Sequence, residues 1–263
     1  MQYCRFSHEG RSLYGLIESV GGNPTVTRTL AKAPHSHMDF ADGERCDLPL
    51  SSVRLLVPAE PTKILCIGRN YREHAKELNN PIPTEPLVFF KPPSSLLGPG
   101  EEIRRPADLS QRVDYEGELA VIVGKRCYRL REDEDVRSYI AGYTCLNDVT
   151  ARDLQRKEGQ WTRGKGFDTF CPVGPVVADD LDPWKGVCVE TRINGELRQK
   201  GTTADFIFPM EVMIRYITQA MTLEPGDLIA TGTPEGVGTL SAGDVVEVTV
   251  EGVGTLRNPV VDR

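Results

Sequence analysis

Three carboxylates carry the first chemical signal. Glu116 and Glu118 flank Gly117 at the start of an apolar stretch, ELAVIVG. Side chains alternate along a strand, so both carboxylates point to one face, together with Ala120 and Ile122. Two carboxylates at the mouth of a buried face repel each other and take up protons unless a cation neutralises them. The same pair at a solvated strand end needs no cation. Asp148 follows the apolar segment GYTCLN and precedes a helix expected to start at Thr150. If the three meet, they form a hard oxygen site without histidine or cysteine. Such a site suits Mg2+ or Mn2+ rather than zinc and leaves about three octahedral positions for substrate and water.

His74 and Glu77 stand three residues apart in NYREHAKEL, so the imidazole and carboxylate can share a helix face. A carboxylate that fixes one ring nitrogen leaves the other as a general base for water. With Arg72, Glu73 and Lys76 beside them, the segment equally reads as a solvated surface helix. Arg152 and Gln155 share the same spacing on the helix leaving Asp148 and can project toward whatever Asp148 holds. Lys165 lies between Gly164 and Gly166, which allow close backbone approach, and its ammonium can offset developing negative charge. TGTPEGVG at 231–238 presents amides and hydroxyls suited to a carboxylate. Residues 159–165 read G-x-x-x-x-G-K, the opening of a phosphate loop. Residue 166 is Gly where a Ser or Thr would hold magnesium, and the preceding DLQRKE is a charged helix, so nucleotide binding is not expected.

The elements that must position these groups are mostly strands. QYCRFS, a His8-Glu9-Gly10 turn and SLYGLIES, followed by a polar stretch at 34–44 without helical period, predict a small amino-terminal β unit over 1–57. Prolines 58 and 61 in VPAEPTK mark its boundary with a second unit, 58–263. There KILCIG, LVFFK, ELAVIVG, IAGYTCL and VGPVVA read as strands, and VCVETRI and ELRQKG form a hairpin through Asn194-Gly195. A short polar helix is expected over 70–78. A long one begins with Pro209 at its first position and carries Val212, Met213, Tyr216, Ile217, Ala220 and Met221 as its apolar stripe. The absence of βαβ alternation disfavours a doubly wound sheet, leaving a mixed α/β, predominantly β class.

The chain has 263 residues with 38 acidic and 31 basic side chains, a net charge of -7 and no Lys/Arg block. It offers no electrostatic footprint for nucleic acid or an anionic membrane surface. The longest wholly apolar run, 119–123, is far short of the ~20 residues of a membrane span. Seven cysteines without a C-x-x-C pair predict reduced thiols rather than zinc or disulfide chemistry. A cytoplasmic protein is expected.

In order, GRNYREHAKE, LVFFKP, DYEGELAVIVGK, GYTCLNDVTARDLQ, GKGFDTFCPVGP, RINGE and GDLIATGTPEGVG resemble the fumarylacetoacetate hydrolase family from about Lys63 to Val261. The resemblance implies a β-roll catalytic domain, a homodimer, bound Mg2+ or Mn2+, and a small 2-oxo carboxylate substrate. It implies metal ligation by Glu116, Glu118 and Asp148, and a lid dyad of His74 and Glu77. It further implies a charge-stabilising Lys165, with Arg69, Arg152, Gln155 and Thr233 at the substrate. The expected reaction is carbon-carbon cleavage, by hydrolysis or decarboxylation, of acylpyruvates or oxaloacetate. The alternatives are isomerisation of 2-hydroxy-dienoate diacids in aromatic catabolism and, from another class, a non-catalytic metabolite-binding scaffold.

Overall fold

Strand-forming stretches dominate the chain, and in the computed structural model, which describes residues 1–34 and 37–263, they build three sheets among the described residues. The largest runs in the order Glu44–Pro49, Asn23–Leu30, Arg11–Val20, Gln2–His8, Cys171–Ala178, Ile140–Asn147, Gly117–Val123, Leu228–Ala230, Ile64–Gly68, Leu87–Lys91. Short strands Arg54–Leu56 and Leu96–Leu97 pair off this path with Gln2–His8 and Cys171–Ala178. A five-stranded sheet is built from Glu196–Thr202, Cys188–Ile193, Val245–Val250, Gly254–Asp262 and Ile103–Arg105, and a small one from Thr150–Ala151, Val113–Tyr115 and Gly238–Thr239. The fold is mixed α/β and predominantly β. No helix among the described residues is long and apolar enough to cross a membrane.

The strand Gly117–Val123 is buried along its whole length, because it is covered on both faces. Leu119, Val121 and Val123 enter one hydrophobic cluster with Val189, Val246 and Val248 of the five-stranded sheet. Ala120 and Ile122 enter another with Ile64, Cys66, Leu146 and Val173. Glu116 and Glu118 continue the second face, as the alternation required.

The amino-terminal strands form an antiparallel meander in which Gln2 and Tyr3 pair with Ala178 and Val177, so the ladder runs on into the rest of the large sheet. The sequence reading finds its first two strands but not Asn23–Leu30, which opens with Asn-Pro and is rich in threonine, Glu44–Pro49, which is rich in charge, or Arg54–Leu56, which is short. Of the polar stretch at 34–44, residues 35 and 36 lie outside the described residues, and His37–Asp42 forms a 3-10 turn. The hairpin at Asn194-Gly195 is present, both residues having positive φ as its tight turn demands.

Two expectations are corrected. The long helix spans Met210–Ala220 with Pro209 as its cap, and its buried face is Met210, Met213, Ile214, Ile217 and Thr218. Val212 is 41% exposed and Ala220 is also exposed. The buried face is turned toward Met210 and Ile214, and Thr218 joins it because its hydroxyl bonds the Arg215 carbonyl and accepts from Leu130 N–H, so a polar residue is satisfied inside. The helix after Asp148 starts at Arg152, not Thr150, because Thr150–Ala151 pair as strand with Val113 and Asp114.

Candidate active site

The three carboxylates meet because of strand register. Gly117–Val123 and Ile140–Asn147 pair antiparallel with Gly117 opposite Asn147, which sets Asp148 opposite Glu116. The Asp148 N–H donates to the Glu116 carbonyl at 2.8 Å, and the Glu116 N–H to Asn147 Oδ1 at 3.0 Å. One oxygen from each of Glu116, Glu118 and Asp148 lies within 4.8 Å of the others, and all three residues are buried. Burial, then the neighbouring Asp148 and Glu116 charges, push the Glu118 carboxyl well above its ordinary pKa, although the Gly232 N–H donates to its Oε2 at 2.7 Å. For Glu116 burial acts upward too, but Lys165 and Arg152 outweigh it and hold the group below the usual carboxylate range. An oxygen-only donor set whose members repel one another fits a hard divalent cation such as Mg2+ or Mn2+.

Three cations surround this trio. Lys165 Nζ lies 2.7 Å from Glu116 Oε2 and 2.6 Å from Asp148 Oδ2. Burial alone would lower its pKa, but Asp148 and Glu116 raise it above the ordinary lysine value, so the ammonium stays charged. The flanking glycines are required: a Cβ on Gly164 would stand 2.9 Å from Gln155 N, and one on Gly166 would press on the Thr162 carbonyl. Arg152 bonds Glu116 through Nη2, Asp114 Oδ2 through Nε at 2.9 Å and Gln155 Oε1 through Nη1 at 2.7 Å. Three of its five N–H donors are therefore committed inside the protein, leaving two for the cavity. The third cation, Lys91, donates to Asp148 Oδ1 at 2.6 Å and to the Val149 carbonyl at 3.1 Å.

Lys91 and Asp114 were not singled out from the sequence. A lone lysine ending the apolar run LVFF was the available signal for Lys91, since a charge on a buried strand needs a partner. Asp114 lay beside the E-x-E pair without a spacing that set it apart.

A cavity of about 350 Å³ opens onto the trio. Nine of the ten singled-out residues line it: Arg69, His74, Glu116, Glu118, Asp148, Arg152, Gln155, Lys165 and Thr233. Glu77 stands behind the wall. Its Oε2 is 3.5 Å from His74 Nδ1, too long for a good hydrogen bond, and that buried nitrogen has no other partner. The carboxylate also accepts from the Gly236 N–H at 3.1 and 3.2 Å, and His74 with this amide holds it below its ordinary pKa. With Nδ1 facing Glu77, Nε2 is the nitrogen left for the cavity.

The helix Arg72–Glu77, for which the resemblance implies a lid, is anchored at its base by Asn70, which is fully buried. Asn70 Nδ2 donates to the Thr231 carbonyl at 2.8 Å, and its Oδ1 accepts from the Phe208 N–H at 2.8 Å. Arg69, just before it, has φ +57°, a left-handed conformation rare for a side-chain-bearing residue. This turn brings its guanidinium over the Trp161 ring, 5.9 Å from the centroid, at the cavity wall. Thr233 differs from the expectation that its hydroxyl meets a substrate carboxylate. Its Oγ1 donates to the Gly117 carbonyl at 2.9 Å and accepts from Gln199 at 2.8 Å, so the hydroxyl proton is already committed. The seven cysteines are free, and burial pushes the Cys171 thiol, which lies toward Lys91 and Asp148, up to about 12.

With this geometry in hand, known proteins give a consistent comparison. Residues 63–261 match the family described as "Fumarylacetoacetate (FAA) hydrolase C-terminal", and residues 1–58 the one described as "Rv2993c-like, N-terminal". Oxaloacetate tautomerase YisK of Bacillus subtilis is 44% identical over 224 residues, covering 80% of this chain and 74% of its own. A 2,4-didehydro-3-deoxy-L-rhamnonate hydrolase of Sphingomonas sp. is 40% identical, covering 99% of this chain and 96% of its own. The solved structure of 5-carboxymethyl-2-hydroxymuconate delta-isomerase from Mycobacterium smegmatis superposes with a TM-score of 0.89 at 39% identity, covering 100% of both chains.

Proposed function

Since this chain belongs to the fumarylacetoacetate hydrolase family, we propose that it is a Mg2+- or Mn2+-dependent enzyme that cleaves a carbon-carbon bond in small 2-oxo acids such as acylpyruvates or oxaloacetate. The observation that supports this reading is the convergence of three buried carboxylates, Lys165 and His74 on one cavity. A divalent ion held by Glu116, Glu118 and Asp148 would polarise the 2-oxo group and anchor the adjoining carboxylate.

The chain's own groups do the rest. Lys165 holds Glu116 and Asp148 in place and keeps a positive charge beside the oxygen on which negative charge develops. The two uncommitted N–H donors of Arg152 and the Gln155 carboxamide orient the substrate from the wall. For hydrolysis, His74 Nε2 takes a proton from a water whose oxygen adds to the distal carbonyl carbon, and Glu77 stabilises the resulting imidazolium. The carbon-carbon bond then breaks, its electrons pass to the pyruvate fragment, and the methylene carbon regains a proton. Decarboxylation gives the same enolate with carbon dioxide as the leaving fragment. The reading includes a cytoplasmic homodimer, checked by sedimentation of the purified chain.

The relatives named for tautomerase and isomerase activity favour a second reading, in which the same base and electrophile move a proton between carbon and oxygen without bond cleavage. A panel of acylpyruvates, oxaloacetate in keto and enol forms, and a 2-hydroxy-dienoate diacid, assayed with Mg2+ and Mn2+, separates the two. Release of pyruvate supports cleavage. Proton transfer alone establishes the second reading, and no turnover anywhere on the panel overturns both.

A further inference from the structure

Gln199 sits in the strand Glu196–Thr202 of the five-stranded sheet, outside the cavity wall and 1% exposed. A carboxamide buried this deeply must find partners for its oxygen and its two N–H groups. Its Oε1 accepts from the Gly117 N–H at 3.1 Å, and its Nε2 donates to Thr233 Oγ1 and to the Pro234 carbonyl, each at 2.8 Å. The amide cannot be flipped, because its nitrogen has no lone pair for the Gly117 N–H and its oxygen no proton for Pro234. With Nε2 donating to the Thr233 hydroxyl, that hydroxyl gives its own proton to the Gly117 carbonyl.

The result is a closed ring of hydrogen bonds that grips both the N–H and the C=O of Gly117. Gly117 is the residue between Glu116 and Glu118, so the direction of both carboxylates follows from how its two peptides are held. A second route reaches the same place. Pro234 and Thr233 belong to the loop whose Gly232 N–H donates to Glu118 Oε2, and Gln199 ties that loop down at two points. We propose that Gln199 is a positioning residue that sets the aim of the Glu116 and Glu118 carboxylates through Gly117 and the 231–236 loop. The metal part of its test rests on the reading given under Proposed function.

The test uses the full chain, stripped of metal, as wild type, Gln199→Met and Thr233→Val. Mn2+ affinity is read by titration well below the melting temperature, and amide exchange is followed at 116–118 and 231–236. Partners of metal ligands contribute about 10–100-fold in affinity, so folded Gln199→Met should raise the Mn2+ Kd by about that factor. Thr233→Val should raise it in the same direction, and the double variant should be no weaker than Gln199→Met alone, because one ring is broken in each case. A folded Gln199→Met that melts earlier but binds Mn2+ within twofold of wild type would show a purely structural residue and overturn the proposal. If Gln199→Met does not fold, Thr233→Val decides, with an unchanged Kd overturning it. If wild type itself binds no Mn2+, the metal reading has failed and exchange decides: the ring requires faster exchange at Gly117 and Gly232 together in either variant, and unchanged exchange at both overturns it.

Discussion

Glu118→Gln should stabilise the metal-free protein while removing its capacity for metal. In the fold the Glu118 carboxyl is raised well above its ordinary 4.5 by burial and by two like charges. A raised carboxyl leaves stability intact below pH 4.5 and erodes it as pH climbs toward the folded value. At pH 7 the loss cannot exceed the interval of 2.5 pH units above 4.5, which at ~1.4 kcal/mol per unit is about 3 kcal/mol. Glutamine is isosteric, keeps an oxygen for the Gly232 N–H and offers N–H donors to Asp148 and Glu116, so whatever is lost to ionisation should be recovered. For a chain of this size that ceiling of about 3 kcal/mol corresponds to at most roughly 6–12 °C, so the variant should melt higher than wild type by no more than this. The assay is thermal unfolding of both proteins at pH 7, first in chelator and then in Mg2+ at about 100 times Kd. There wild type should gain about 2.7 kcal/mol and the variant little, so the order of stabilities should close or invert. A variant less stable than wild type in chelator, with both proteins indifferent to Mg2+, would refute the picture of a repulsive trio relieved by a cation.

Other outcomes follow from the same geometry. Chelation of wild type should abolish turnover, Mg2+ or Mn2+ should restore it, and Asp148→Ala should be inactive under both conditions; full activity after verified metal removal would count against the site. His74→Ala should lower acylpyruvate hydrolysis by about 10²-fold or more, while oxaloacetate decarboxylation, which needs no attacking water, should fall much less when the two rates are measured side by side. Because the Glu77 pKa is depressed, its stabilising contacts persist at neutral pH and are lost as pH falls from 4.5 through the lower folded value. Exchange at 72–77 and Gly236, corrected for intrinsic rates, should therefore accelerate in that acid window, and in Glu77→Gln it should already be fast at neutrality. Oxalate, which mimics a planar enolate, should slow exchange over residues 70–84 in the presence of Mg2+, and an unchanged pattern would argue against closure over ligand.

The carboxylate trio was legible because its geometry follows from two simple periods. Alternation put Glu116 and Glu118 on one face, and an antiparallel neighbour ending at Asn147 brought Asp148 opposite them. Lys165 was legible from its flanking glycines, whose missing Cβ atoms are what the packing requires. Lys91 and Gln199 were not, because each is polar in a segment that pattern reads as ordinary strand and its partner is remote: Gln199 lies 82 residues from Gly117. Asp114 was not, because its contact with Arg152 is made across 38 residues that no spacing rule spans. The helix phase failed for another reason: Met210, Met213, Ile214 and Ile217 form an apolar stripe, but Val212, Tyr216 and Ala220 offer a competing one beside it, and the buried Thr218 reads as polar. Tertiary hydrogen bonding decides whether a polar residue belongs inside, and neither hydropathy nor spacing records it.

Lid and loop are joined at two points. Asn70, at the foot of the helix, holds the Thr231 carbonyl, and Glu77, at its tip, holds the Gly236 N–H. The first bond is buried and the second exposed, so the tip at Glu77 is the end that water can release and the foot at Asn70 the end that stays held. An exposed hydrogen bond to a carboxylate competes with water, so it contributes less than the about 1.5–3 kcal/mol of a shielded one. An anion competing for the Gly236 amide would take the place of the Glu77 carboxylate and loosen the tip of the helix from the loop while its foot stays held at Asn70.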